Sequence, residues 1–235
     1  MPSDKFRQAI NELRAKSNPE ARDGMARFGI STNGAVGVSM PYIRRIAKEM
    51  GKDQELALEL WESGIHEARI LAGLIAEPSK TRKELMERWA ADFDSWDVCD
   101  QVCSCLFVKT PYAFEMAVQW TRRDQEFVKR AGFVLIAQLA VHDKKIEDAR
   151  FLELLPLIVE QATDERNYVK KAVNWALRQI GKRNAYLNKL AIEISETIKS
   201  MDSRSARWIA ADALRELRNP KTLSRIEKRQ GRYKN

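Results

Sequence analysis

The stretch SWDVCDQVC, at positions 95–103, places an indole ring and two carboxylates at a predicted helix start. Ser95 is a favourable N-cap, so Trp96 opens the helix and Asp97 lies in its first turn, where a carboxylate complements the positive helix end. Asp100 lies beyond that turn and shares a face with Trp96, because residues four apart are neighbours on a helix. Carboxylates and indole faces both favour positive charge. Since no basic residue lies within a turn of Asp100, this face is a candidate site.

A second tryptophan lies on a basic stripe of the helix predicted for 165–183. Trp175 is off the apolar face of this helix and aligns with Lys171, Arg178 and Lys182. An aromatic ring beside cations is typical of nucleic-acid contacts. Alternatively, Trp175 packs under a neighbouring helix while the lysine stems surround it.

A weaker copy of this pattern surrounds Trp208, which falls between Arg204 and Arg215 on one helix face. Asp212 lies on the same face and reduces its positive charge. We therefore expect Trp208 to pack against a neighbouring helix.

The segment 126–141, EFVKRAGFVLIAQLAV, is apolar on nearly all sides after its first turn and predicts a largely buried helix. Lys129 and Arg130 lie at its entrance, and we expect Arg130 to emerge where the helix leaves the core. An arginine on a rigid element is suited to clamp a phosphate. A surface salt bridge is the alternative.

The composition favours a polyanionic partner. The 235 residues include 41 basic and 33 acidic ones, which gives a net charge of +8 and a pI near 9.4. Nucleic acid is the first candidate and a membrane surface the weaker one. The N-terminal sequence has no apolar signal segment and nothing approaches a membrane span, so we expect a cytoplasmic protein.

Common catalytic and metal-binding motifs are absent from the sequence. It has two histidines and no HExxH, GxSxG, Walker A or dinucleotide fingerprint, and GAVG at 34–37 is too short to indicate phosphate binding. Cys99, Cys103 and Cys105 lie in one stretch without a nearby histidine, so we expect small core residues in a reducing compartment. We predict neither a metal nor a cofactor.

Helical periodicity runs through nearly the whole chain and predicts an all-α fold. The predicted helices are 6–13, 41–50, 53–62, 65–76, 80–93, 96–108, 112–122, 126–141, 146–162, 165–183, 187–198, 203–217 and 220–230. Short turns between them indicate stacked antiparallel pairs of roughly 40 residues, the period of HEAT-like repeats. Without a linker, we expect one α-solenoid domain over 1–235 with a basic concave face. A globular helical bundle is the alternative.

Five stretches together resemble the AlkD family of alkylpurine DNA glycosylases. They are NPEARDGMARF at 18–28, VGVSMPYIRRIAKE at 36–49, SWDVCD at 95–100, FVKRA at 127–131 and VKKAVNWALRQ at 169–179. The last three match the family's catalytic helices in order and spacing. The resemblance implies a C-shaped solenoid of HEAT-like helix pairs.

Carried over residue by residue, the resemblance implies that Asp100 is the catalytic carboxylate and that Trp96 and Trp175 flank the lesion. Arg130 corresponds to the arginine near the phosphate backbone. The remaining residues expected to contact DNA are Phe28, Arg44, Arg45, Lys171, Arg178 and Lys182. Phe28 and Phe127 are departures, because some family members carry tyrosine and tryptophan there.

The implied activity is excision of positively charged N3- or N7-alkylated purines from double-stranded DNA by a monofunctional glycosylase in base excision repair. The partner is duplex DNA that contains alkylated bases, and we expect a monomer. Two alternatives stay open: a relative that binds unusual DNA structures without excision, and a HEAT-type scaffold for proteins.

Overall fold

Every regular element in residues 2–231, which the computed structural model describes, is a helix. The α-helices are α1 (Asp4–Ala15), α2 (Pro19–Met25), α3 (Met40–Met50), α4 (Gln54–Glu62), α5 (His66–Ile75), α6 (Lys83–Ala91), α7 (Trp96–Cys105), α8 (Ala113–Trp120), α9 (Glu126–His142), α10 (Asp148–Leu152), α11 (Leu155–Gln161), α12 (Asn167–Gly181), α13 (Ala185–Lys199), α14 (Arg204–Leu217) and α15 (Pro220–Gly231). Short 3-10 turns occur at Ala26–Phe28, Pro78–Lys80 and Phe107–Lys109. None of the helices in this part of the chain is long and apolar enough to span a membrane. The all-α prediction is confirmed.

Two regions differ from the predicted helix pattern, and proline explains both. The segment predicted as one helix over 146–162 is divided into α10 and α11, because Pro156 lacks an N–H and is tolerated only in a first turn. Helix α2 lies between the predicted helices 6–13 and 41–50, where the pair Asn18-Pro19 is more typical of a turn than of a helix. Pro19 instead opens the helix, and the Asn18 side chain caps the Ala21 N–H at 3.0 Å.

Contacts between helices divide the chain into two compact units, of which the first ends at Tyr112 and the second begins at Ala113. The prediction of a single domain over 1–235 stays a prediction. In the first unit, α5 packs on α3, α4 and α7. In the second, α9 packs on α8 and α12, and α12 packs on α13 and α14.

Alternate helices of the first unit contact each other at a constant sequence offset. Trp61 Nε1 donates to Asp92 Oδ2 at 2.7 Å, and His66 Nε2 lies 2.8 Å from Asp97 Oδ2, both across 31 positions. The Trp61 and Trp89 rings also stack with centroids 4.1 Å apart. A constant offset is the mark of one helix pair repeated along the chain.

The second unit has the same arrangement with a longer period. Arg130 contacts Tyr168, Asn174 contacts Asp212, and Arg178 contacts Glu216, each across 38 positions. Because both partners of the last two contacts advance together by four residues, α12 and α14 run parallel. The roughly 40-residue helix pair predicted from sequence is therefore present in the fold.

Candidate functional site

Helix α7 carries Trp96 and Asp100 away from its buried face. That face consists of Val98, Cys99, Val102 and Cys103. Trp96 and Asp100, one turn apart, are both half-buried. Ser95 occupies the N-cap position, but its hydroxyl does not cap a backbone N–H of the first turn as predicted.

The Trp96 ring is held by the backbone of another aromatic residue. Its Nε1–H donates to the Phe28 carbonyl oxygen at 3.0 Å. Gly29, which follows Phe28 directly, has φ 67°, a left-handed conformation that favours glycine. The Phe28 side chain is 74% exposed. Two predicted site residues 68 positions apart in sequence are therefore in contact, and one presents its ring to solvent.

Asp97 does more than complement the helix end. Its Oδ2 accepts from His66 Nε2 at 2.8 Å, and its Oδ1 accepts from the Ser95 hydroxyl at 2.6 Å. The Ser95 hydroxyl in turn accepts from the Ser31 N–H at 3.2 Å. This network explains why Ser95 does not cap the helix, and it fixes the turn that carries Trp96.

The His66–Asp97 pair shifts the pKa of both groups toward their charged forms. Burial alone would lower the pKa of His66, but the hydrogen bond and negative charge of Asp97 raise it above the ordinary value. Burial alone would raise the pKa of Asp97, but the hydrogen bonds from His66 and Ser95 lower it. The pair is thus a buried, mutually stabilised ion pair over a range of pH.

The loop of residues 30–38 is attached to the start of α5 by a buried carboxylate that sequence reasoning missed. Glu67, only 1% exposed, accepts from the Val36, Gly37 and Val38 N–H groups at 2.9, 2.7 and 3.2 Å. Gly37 has φ 80°, and a Cβ there would lie 2.1 Å from the Asn18 carbonyl oxygen.

The overlooked signal was the GAVG stretch at 34–37. Successive backbone N–H groups in such a turn form an anion-binding concavity. The anion here is an internal carboxylate, Glu67. This loop follows Phe28, whose carbonyl oxygen binds Trp96, and it contains Ser31, whose N–H binds the Ser95 hydroxyl. Glu67 therefore fixes a loop that contacts the start of α7.

Helix α9 is buried from Val128 to Ala140, as predicted, but Arg130 does not emerge from it. The Arg130 side chain is 6% exposed, and its guanidinium donates to the Tyr168 carbonyl oxygen at 2.7 Å. The expectation of an exposed arginine was wrong because α12 covers this face of α9. Lys129 is buried as well and donates to Gln161 at 2.6 Å.

An aromatic pair lies where α9 and α12 begin, and Trp175 lies two turns further along α12. The Phe127 and Tyr168 rings are tilted with centroids 5.5 Å apart. Trp175 is half-buried, and the Gln179 amide, when oriented to satisfy its neighbours, accepts from the Trp175 Nε1–H at 3.0 Å.

The basic stripe predicted beside Trp175 is only partly exposed. Lys171 faces solvent. Arg178 and Lys182 instead each donate to Glu216 of α14 at 2.7 Å. Two of the three cations thus have an acidic partner that the sequence of α12 does not show, because Glu216 lies on the next parallel helix and not within the same segment.

The other predicted DNA-contacting cations, Arg44 and Arg45, are exposed on α3. The Arg45 guanidinium lies 4.2 Å from the centroid of the Tyr42 ring, and its Nε is 3.6 Å from Glu49. Both arginines remain accessible to a polyanion.

Trp208 is a further correction, since its ring is 41% exposed and not packed as expected. Lys170 Nζ lies 5.6 Å from the ring centroid. The neighbouring Asp212 carboxylate accepts hydrogen bonds from the Asn174 and Arg215 side chains.

Residues 2–231 contain no group of three or more histidine, cysteine or carboxylate side chains that could hold a metal ion. The three cysteines lie within the described residues and form no disulfide there, and Cys99 and Cys103 are fully buried. Burial raises the pKa of Cys105 to about 11. The expectation of core cysteines agrees with the burial of Cys99 and Cys103, whereas Cys105 is half-buried.

Comparison with known proteins identifies relatives along most of the chain. Two curated proteins of unknown function, Lin0241 of Listeria innocua and Lmo0209 of Listeria monocytogenes, are each 24% identical over 203 residues, which cover 82% of this chain and 86% of the relative. A solved structure described as a new family of proteins related to the HEAT-like repeat DNA glycosylases, with affinity for branched DNA structures, superposes with a TM-score of 0.75. Its sequence is 21% identical, and the match covers 89% of this chain and 94% of that one.

The family model for DNA alkylation repair enzymes matches residues 9–217, a span that contains every predicted site residue. The matched fold agrees with the stacked helix pairs described above. The chain therefore belongs to the DNA alkylation repair enzyme family.

Proposed function

We propose that this protein is a DNA glycosylase that releases positively charged N3- or N7-alkylated purines from duplex DNA. The observation that carries the proposal is the pairing of Trp96 and Asp100 on one accessible face of α7, in a member of the DNA alkylation repair enzyme family. The AlkD resemblance assigns the same two residues to the reaction.

The chemistry of these lesions explains why a carboxylate and an indole suffice. Alkylation at N3 or N7 makes the purine cationic, so the glycosidic bond breaks with its electron pair passing to the base. Positive charge then develops on the deoxyribose. The Asp100 carboxylate stabilises that charge and accepts the proton of the water that adds to C1′.

Trp96 is suited to contact the cationic sugar or base with its ring face. Its N–H is already bound to the Phe28 carbonyl oxygen, so the indole contributes its π surface and not a donor. Indole faces attract cations by about 0.5–2 kcal/mol. The exposed Phe28 ring extends this surface without the hydroxyl that tyrosine would supply.

Arg130 is assigned a positioning role in this proposal. Its burial and its hydrogen bond to the Tyr168 carbonyl oxygen fix the first turn of α12 against α9. Trp175 follows Tyr168 by seven positions, two turns along the same helix face. The roles that the resemblance implies for Trp175 and for a direct phosphate contact by Arg130 stay predictions.

DNA binding is assigned to exposed cations of each unit. Arg44 and Arg45 of α3 and Lys171 of α12 are accessible and carry the positive charge expected of phosphate contacts. Arg178 and Lys182 are predicted to contribute less, since Glu216 offsets their charge.

A second candidate function is binding of branched DNA without chemistry. The solved structure with the TM-score of 0.75 is described as having affinity for branched DNA structures. The retention of Asp100 with both Trp96 and Trp175 favours excision over binding alone.

Release of free bases from methylated duplex DNA separates the two candidates. We expect the wild-type protein to release N7-methylguanine and N3-methyladenine, and Asp100→Asn to release them far more slowly. Tight binding to branched DNA with no base release by the wild type would establish the binding-only alternative.

A further inference from the structure

Trp208 differs from the other tryptophans in its accessibility. The chain has six, all within the described residues. Trp61, Trp89 and Trp120 are fully buried, whereas Trp96 and Trp175 are half-buried. Trp208 is the most exposed of these six, at 41%. Exposing an indole forgoes part of the stabilisation that its burial would provide and leaves one ring face available to a ligand.

The contacts between α12 and α14 show what is unusual about its neighbours. Pairs of facing residues 38 positions apart form rungs between the parallel helices α12 and α14. In two of these rungs, Asn174 donates to Asp212 and Arg178 donates to Glu216, so the residue on α14 is acidic. One turn earlier, the equivalent rung pairs Lys170 with Trp208. The cation at this rung therefore faces an aromatic ring where the other two rungs have a carboxylate.

A second cation lies near the same end of α14. Arg204 opens this helix, one turn before Trp208. The nearby Glu165 carboxylate accepts from the Ser205 N–H at 3.1 Å and from the Ser203 hydroxyl at 3.0 Å. These hydrogen bonds lower its pKa, and the charges of Arg204 and Lys170 add to the effect. Both cations thus lie within electrostatic reach of the Glu165 carboxylate, and the three groups together keep a net positive charge.

An exposed indole with one cation over its ring and a second one turn away on the same helix matches the chemistry of a nucleotide. A base has a π face that stacks on the ring, and its phosphate pairs with lysine or arginine. In an intact duplex the faces of the bases are covered by their neighbours. Only an unpaired base can offer its face to Trp208.

We propose that Trp208, Lys170 and Arg204 form a binding site for one unpaired nucleotide of bound DNA. The base stacks on the Trp208 ring and the adjoining phosphate lies between Lys170 and Arg204. The inference rests on the DNA binding of the proposed function, and it adds a contact outside the residues assigned to excision. The site favours DNA in which a base has left the helix stack.

The test compares two labelled DNAs, an unbroken duplex and the same duplex with one unpaired nucleotide, by fluorescence anisotropy. The wild type should bind the second DNA more tightly. Trp208→Ala should weaken binding of the DNA with the unpaired nucleotide by about tenfold and leave the unbroken duplex within about twofold. Trp208→Phe should retain most of the preference, because it keeps an aromatic face.

Tyr186→Ala is the matched control, since Tyr186 is an exposed aromatic residue on the neighbouring helix α13. It should leave both affinities unchanged. Lys170→Ala removes one expected phosphate contact. For the DNA with the unpaired nucleotide, it should reduce the slope of log affinity against log salt concentration by about one. Thermal unfolding of each variant confirms that it is folded.

Equal losses on both DNAs for Trp208→Ala, or none, would overturn the site. If the wild type releases methylated purines while Trp208→Ala has no selective effect, the inference fails and the proposed function stands. If the wild type binds neither DNA, the proposed function fails and the inference fails with it.

Discussion

At Asp100, the need for a carboxylate can be tested by the smallest change of side chain. Asp100→Asn keeps the shape but removes the negative charge and the proton acceptor. We expect base release to slow by about 10²-fold, equivalent to about 2.7 kcal/mol of barrier. DNA binding should hold or tighten slightly, because a negative charge near phosphates is removed. Single-turnover release of methylated purines, with protein in excess, measures the chemical step.

The control for this variant must remove a carboxylate elsewhere. Glu62→Gln changes the net charge equally at an exposed position on α4. Asp97→Asn is unsuitable, although Asp97 lies only three residues away, because Asp97 belongs to the buried network with His66. Equal rates for the wild type and Asp100→Asn would remove this residue from the mechanism.

The His66–Asp97 pair predicts a specific dependence of stability on pH. The raised pKa of His66 means that the pair stabilises the fold fully below 6.5, the ordinary histidine value, and loses this contribution as the pH rises through the higher pKa of the folded state. The lowered pKa of Asp97 means that its contribution to stability is fully present above pH 3.8, the ordinary aspartate value. This contribution is lost as the pH falls through the lower pKa of the folded state. Urea unfolding should therefore give a lower free energy of unfolding at about pH 8.5 than at about pH 6.

Asp97→Asn should reduce the free energy of unfolding near pH 6 by about 1–3 kcal/mol, since a buried hydrogen-bonded charge loses its partner. The free energy of unfolding of the variant should also decline less between about pH 6 and about pH 8.5, the range in which histidine titrates. An unchanged pH profile in the variant would mean that His66 is neutral in the folded protein.

At the scale of elements, the contacts between α12 and α14 decide how much positive charge α12 presents. Glu216 accepts from both Arg178 and Lys182, whose side chains are partly exposed. Glu216→Gln removes the charge that offsets them. We expect duplex affinity at low salt to rise by about two- to fivefold and the salt slope to steepen by about one. Stability should fall by no more than about 1 kcal/mol, because the ion pairs are partly solvated.

Glu193→Gln provides the comparison, because it removes one exposed carboxylate from α13 and not from these contacts. Anisotropy titrations with both variants at several salt concentrations give the slopes. The same small increase in both would show only the effect of net charge, and Arg178 and Lys182 would then be structural residues.

For the whole molecule, the basic surplus predicts binding dominated by phosphate contacts. The net charge is +8, and the sequence has no motif for reading base edges. If about five phosphates are neutralised, the logarithm of the association constant should fall against the logarithm of salt concentration with a slope of about −4 to −5. Affinity that does not change between low and moderate ionic strength would contradict this mode of binding.

The sequence by itself determined the helical class, the repeat of paired helices and the two tryptophan-bearing faces. These features depend on periodicity within one helix, which side chains four residues apart report directly. The face of Trp96 and Asp100 could be recognised because one helix positions both. The buried character of α9 followed from its apolar circumference in the same way.

The tertiary structure decided what each polar side chain faces. The carboxylates that hold His66 and Arg178 lie 31 and 38 positions away, on the next parallel helix. Glu67 reaches back about 30 positions to the loop amides, and Arg130 is covered by α12. A stripe on one helix cannot reveal these partners, because they are fixed by how successive helix pairs pack. For the same reason, the segment around Trp208 could not show that Lys170 of α12 lies opposite its ring.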